Sequence, residues 1–143
     1  MNKTFLSSHN FFFKKWYLIN AENQILGRFA SQIIKILVGK HKLTYSPFLP
    51  SNTRLIIINA KKICISGNKL YKKKYFHYSG YPSGLHFKTF FELQSFQSEK
   101  LIRTTILGML PKTLLGRKMI KQLYIYSGNK HYHSAQFPKA LIL

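Results

Sequence analysis

His131 and His133 stand one residue apart, the spacing of a metal-ligand pair, and Glu22, Glu92 and Glu99 are the chain's side-chain carboxylates. Neither set makes a reactive centre. Zinc needs three or four ligands, and no cysteine or carboxylate near the histidines completes the set, so a solvated or phosphate-facing pair is expected. Glutamates far apart in sequence, without any aspartate, do not supply the paired carboxylates of acid–base or magnesium chemistry. Gly39-Lys40 and Gly67-Asn68-Lys69 lack the spaced glycine and the Ser/Thr of a nucleotide-phosphate loop. The lone Cys64, within Ile63-Cys64-Ile65, excludes a disulfide framework and is expected to be a small buried apolar residue. No enzyme, cofactor, metal or small-molecule substrate is implied.

The chemistry that the chain does carry is cationic. Its 143 residues hold 23 Lys+Arg against 3 Asp+Glu, a formal charge of +20. Like charge at this density repels itself unless a polyanion neutralises it. The cations fall in clusters interleaved with aromatics. Lys40, His41, Lys42 and Tyr45 form one. Lys69, Lys72, Lys73 and Lys74 with Tyr71, Tyr75, Phe76, His77 and Tyr78 form the densest. Lys112, Arg117, Lys118 and Lys121 form a third, and Lys130, His131, His133 and Lys139 carry charge into the tail. Lysines on phosphates give sequence-independent affinity, while tyrosines and histidines stack on unpaired bases or bond to ribose.

Composition leaves DNA, RNA and an anionic membrane open as the polyanion. Arginine, the usual reader of base edges in duplex DNA, is confined to Arg28, Arg54, Arg103 and Arg117. No apolar run approaches the ~18 residues that span a bilayer. Residues 1–15 lack both the arginines of an organellar leader and a secretory cleavage site, so synthesis in the working compartment is expected. Heavy use of Lys, Ile, Asn, Phe and Tyr fits an A/T-rich genome, with a plastid ranked before a mitochondrion and a bacterial cytoplasm third.

These clusters need a scaffold to place them. Trp16 to Ile19 reads as a strand. Leu26, Phe29, Ala30, Ile33, Ile34 and Leu37 follow with helical spacing, closed by Gly39. Leu55 to Ile58 is an apolar run of strand length, as expected of a parallel sheet with both faces covered. Ser98 is a candidate cap for a helix carrying Leu101, Ile102, Thr105, Ile106 and Met109 on one face, ended by Pro111. Lys112 to Gln122 reads as a further helix and Leu123 to Tyr126 as a last strand; beyond it no periodicity remains. The pattern is that of an α/β layer, helices against a small sheet.

Four segments resemble the universal large-subunit ribosomal protein thirteen family in its bacterial and organellar form. Trp16 to Ser31 resembles its opening strand and helix, and Gly39-Lys40-His41-Lys42 with Tyr45 and Pro47 its basic loop. Asn59-Ala60-Lys61-Lys62-Ile63 and Ser66-Gly67-Asn68-Lys69 lead to Ser79-Gly80-Tyr81-Pro82-Ser83-Gly84. Gly108-Met109-Leu110-Pro111-Lys112 with Leu115-Gly116-Arg117 is the most specific match, followed by Leu123 to Gly128 and His131 to Gln136. The resemblance implies a single three-layer α/β/α domain with a mainly parallel four-stranded sheet, basic loops and an irregular C-terminal tail. It implies binding to large-subunit ribosomal RNA beside neighbouring ribosomal proteins, early in subunit assembly, and no membrane role. An N-terminal extension over 1–14, a domain over 15–128 and a basic tail over 129–143 are expected. Gly80, Gly84 and Gly108 are expected where backbone turns sharply or is approached closely. Asn20 departs from the family, standing at a usual aspartate position, and Tyr78 replaces a usual histidine.

Overall fold

The computed structural model describes residues 14–43 and 45–143. The expected extension therefore lies, but for Lys14, outside the described residues.

β1 (Lys15–Asn20) alternates Tyr17 and Ile19 into the core with Trp16 and Leu18 on the opposite face. The chain turns at Ala21 and Asn23 into α1 (Leu26–Val38), whose Leu26, Phe29, Ala30, Ile33 and Leu37 are buried. Gly39 ends α1 in the left-handed region at φ 83°, and its N–H reaches back to the carbonyls of Lys35 and Ile36. β2 (Thr53–Ile58) then returns parallel to β1, with Tyr17 opposite Leu55 and Ile19 opposite Ile57. Its run from Leu55 to Ile58 is buried on both faces, as its unbroken apolar sequence predicts.

After a 3₁₀ turn at Ala60–Lys62, an isolated parallel bridge joins Cys64 to Ile25. This corrects one expectation. Extended backbone sends Ile63 inward and turns Cys64 to solvent, so the thiol is exposed.

A one-turn helix, α2 (Lys69–Lys72), leads into an antiparallel hairpin of β3 (Lys74–Tyr78) and β4 (Leu85–Thr89). Its loop needs its glycines: Gly80 has φ 90°, and a Cβ at Gly84 would strike the Ser79 side chain and the Tyr81 carbonyl.

α3 (Phe90–Met109) starts earlier than the Ser98 cap suggested. Thr89 and Glu92 form a capping box, with Thr89 Oγ1 accepting from the Glu92 N–H at 3.3 Å and Glu92 Oε2 accepting from the Thr89 N–H at 3.0 Å. The backbone breaks at Gln97 (φ −139°, ψ 50°), so the regular helix resumes at the buried Ser98. Leu101, Ile102 and Ile106 pack inward and α3 lies against α1, whereas Met109 is exposed. Pro111 ends this stretch as expected. Thr113 caps α4 (Leu114–Ile120), and β5 (Leu123–Ile125) joins the far side of β2.

The last strand comes from the stretch without periodicity. β6 (Lys139–Ala140) pairs in parallel with Tyr17 and Leu18, giving a four-stranded parallel sheet of order β5-β2-β1-β6 flanked by helices. α1 and α3 cover one face. On the other, Trp16 and Tyr124 stack at 5.4 Å and His133 from the tail meets both rings. Among the described residues no helix is long and apolar enough to cross a membrane.

Candidate nucleic-acid interface

The carboxylates are spent on the chain itself. Glu22 Oε1 takes the Lys62 ammonium at 2.6 Å, which holds the Glu22 carboxyl below the ordinary carboxylate range. Glu92 belongs to the capping box. Glu99 Oε1 accepts from the N–H and hydroxyl of Ser127 at 3.3 and 3.0 Å, tying α3 to the end of β5. Asn20 holds the ends of the first two strands together through its amide. Its Oδ1 accepts from the Glu22 N–H at 3.1 Å and the Asn59 side-chain amide at 2.9 Å, joining the ends of β1 and β2. What remains at the surface is cationic.

The predicted contact residues divide into free and committed groups. Lys40 and His41 are exposed just beyond the C-terminus of α1, whose dipole favours cations there. Lys42 turns inward from the same loop. Its ammonium donates to Ser51 Oγ at 3.0 Å and Thr53 Oγ1 at 2.7 Å, and burial, then the nearby Lys15, lowers its pKa. Tyr45 is exposed beyond it.

Lys69, Lys72, Lys73 and Lys74 are exposed on α2 and at the foot of the hairpin. The Lys73 ammonium lies 5.2 Å from the Tyr75 ring and that of Lys74 4.4 Å from the Phe87 ring. Lys69 and Lys73, with Arg28 at the start of α1, line an open groove of about 330 Å³. Into it α1 presents an N-terminus without a side-chain cap or an acid in its first turn. Tyr81 stands at the hairpin tip, 75% exposed. Lys112, Arg117, Lys118 and Lys121 are exposed along and around α4.

The two histidines are placed otherwise. His131 Nδ1 accepts the His133 N–H at 3.2 Å, and the His133 ring lies 4.5 Å from Tyr124 and 5.1 Å from Trp16. Both are half-buried in aromatic packing over the sheet.

Sequence reasoning missed β4, and with it Leu85, His86, Phe87 and Lys88 opposite the aromatics of β3. The available signal was a Gly/Pro/Ser loop flanked by aromatic runs, the composition of a hairpin with a longer turn. It also missed Gly116, where a Cβ would strike the Pro111 carbonyl oxygen. Gly108, by contrast, has open space around it.

The family model for ribosomal protein L13 matches residues 14–132, spanning every strand of the sheet but β6 and the whole hairpin. The chain belongs to that family. It is a structural component of the ribosome and not an enzyme. It is 48% identical over 128 residues to "Large ribosomal subunit protein uL13" of Thermoanaerobacter pseudethanolicus, covering 90% of each chain. The protein of that name from Acaryochloris marina is 45% identical, over 99% of this chain and 93% of its own. A third, from a Synechococcus strain, is 43% identical over 100% of this chain and 95% of its own. These relatives are bacterial, the last two cyanobacterial.

Proposed function

We propose that the chain binds large-subunit ribosomal RNA, beside neighbouring ribosomal proteins, and supports early assembly of that subunit. Its contact surface comprises α2 with the β3–β4 hairpin, the exposed part of the loop after α1, and α4. One observation carries the reading. Glu22, Glu92 and Glu99 are all turned onto the chain's own groups, while residues 69–91 and 112–121 contain no carboxylate. Such a surface neutralises itself only against a polyanion. The open groove beside Arg28, Lys69 and Lys73 gives these cations a common opening toward a phosphate backbone. The fold supplies a rigid scaffold, and its loops and hairpin supply the contacts.

Competition binding tests this. Large-subunit RNA transcripts should displace the chain from duplex DNA of equal length; parity would favour a DNA-compacting role in an organellar nucleoid. Changing Lys72, Lys73 and Lys74 together to alanine should weaken RNA binding and reduce the log–log salt slope by about 2, at ~0.7 for each phosphate that is no longer neutralised. An unchanged slope removes this cluster from the interface.

The proposed compartment is the plastid. Support comes from heavy use of amino acids that A/T-rich codons encode, and cyanobacterial proteins are among the bacterial relatives that align over nearly the whole chain. Locating the gene tests it: a plastid genome upholds the reading, and a mitochondrial or bacterial genome replaces it.

A further inference from the structure

The β3–β4 hairpin wears its apolar side outward. Register and alternation put Phe76 and Tyr78 of β3 on one face with Leu85 and Phe87 of β4. These side chains are 66%, 62%, 58% and 54% exposed. Tyr75, on the opposite face, is the hairpin residue that packs against the protein core. An apolar face turned away from the body costs solvation in the free chain, and in a folded protein it marks a contact surface.

The surroundings of that face specify its occupant. The Lys74 ammonium lies 4.4 Å from the Phe87 ring, Lys72 and Lys73 stand at the foot of the strand, and no carboxylate occurs from Lys69 to Phe91. An apolar protein partner would bury these ammonium groups without a counter-charge, which is costly. A nucleotide brings both complements in one unit, a π-face for the ring and a phosphate for the lysine. The Phe76 and Phe87 rings are tilted by 55° at 6.3 Å, so they are not stacked on each other.

We propose that this outward face is a stacking platform for unpaired bases of ribosomal RNA, with Phe76, Tyr78 and Phe87 taking base faces and Lys74 an adjoining phosphate. The proposal rests on the RNA-binding reading above and adds to it which bases are taken, unpaired ones, and where.

The test uses the full chain and a transcript of large-subunit ribosomal RNA at fixed salt. A double variant, Phe76→Leu with Phe87→Leu, keeps apolar area but removes the rings. It should bind the transcript at least roughly tenfold more weakly with an unchanged salt slope, because the stacking is removed while every lysine keeps its phosphate. Wild-type affinity in the leucine variant, with weaker binding only in Phe76→Ala with Phe87→Ala, would overturn the proposal, because apolar area and not ring stacking would then carry the contact with the RNA. Wild-type affinity in both variants would overturn it outright. Ultraviolet crosslinking of the unaltered chain to the transcript needs no variant to fold: nucleotide adducts are expected on Phe76, Tyr78 or Phe87, and adducts confined to other segments would overturn it. A wild-type chain that fails to bind the transcript sinks the underlying RNA reading as well, so the two failures are distinguishable.

Discussion

Two aromatic clusters with the same ingredients meet opposite fates. Over the sheet, Trp16 and Tyr124 stack at 5.4 Å, His133 closes against both, and the Arg54 guanidinium lies 4.9 Å from the Trp16 ring. On the hairpin, Phe76 and Phe87 lie 6.3 Å apart, the Lys74 ammonium is 4.4 Å from the Phe87 ring, and Tyr78 and Leu85 stand beside them in solvent. Ring, ring and cation recur in each. In the first the tail of the same chain supplies the cover, while in the second nothing among the described residues does. An aromatic beside a cation is therefore no guide to RNA contact until its partners within the chain have been accounted for. The same holds for lysines, since Lys42 is taken up by Ser51 and Thr53 whereas Lys72 is exposed.

The sharpest way to break the comparison is to truncate one ring from each cluster and measure unfolding in urea. Trp16→Ala removes a half-buried ring from two aromatic neighbours and a guanidinium, and should cost about 2–3 kcal/mol, below the range for a fully buried aromatic. Phe87→Ala removes a cross-strand pair in solvent and should cost less than about 1 kcal/mol. Equal losses would mean that the hairpin face is part of the folding core.

A comparable difference is expected between two glycines of the Gly108–Arg117 segment. A Cβ at Gly116 meets the Pro111 carbonyl, so Gly116→Ala must shift the turn before α4 and should cost about 1–3 kcal/mol in thermal or chemical unfolding. Gly108 lies in α3 with open space around it, and Gly108→Ala should be neutral or stabilise by up to about 1 kcal/mol through helix propensity. Only the first of these positions is required by the chain's own packing. Weaker RNA affinity in Gly108→Ala at unchanged stability would assign the second to the partner.

The body was legible in the sequence where one side of an element is buried. α1 declared itself because Leu26, Phe29, Ala30, Ile33 and Leu37 line one face, and Gly39 because a left-handed residue must close the helix there. β2 was visible as an unbroken apolar run, and the parallel four-stranded sheet followed from the family resemblance. β6 was not legible, since two residues hold no period. The hairpin was half-legible for a different reason: Leu85-His86-Phe87-Lys88 alternates, but its apolar face lies in solvent, so the alternation does not report burial there. Cys64 shows why an apolar run is no guarantee of burial: extended backbone sends alternate residues outward, and the thiol is exposed. At the candidate site the cation clusters were readable from composition, but Lys42 and the two histidines were not separable from them, since their partners are distant in sequence: Ser51 and Thr53 for Lys42, Trp16 for His133.

Lys42 offers the finest discrimination between the two regions. Burial lowers its folded pKa below the ordinary lysine value of about 10.4. Between the folded and unfolded values the unfolded chain therefore binds a proton that the native chain has released, so this group makes stability rise as pH climbs through that window. Below it both states are protonated, and the cost of burying the ammonium is carried in full. Lys42→Met should remove this contribution, leaving unfolding free energies that rise less steeply than those of the wild type as pH approaches 10.4. Because the ammonium already serves Ser51 and Thr53, the same variant should leave the salt slope of RNA binding unchanged, whereas Lys72→Met should lower it by about 0.7. A lowered slope in Lys42→Met would show that RNA draws this lysine out of its hydroxyl cradle, and the loop after α1 would then behave like the hairpin rather than like the body.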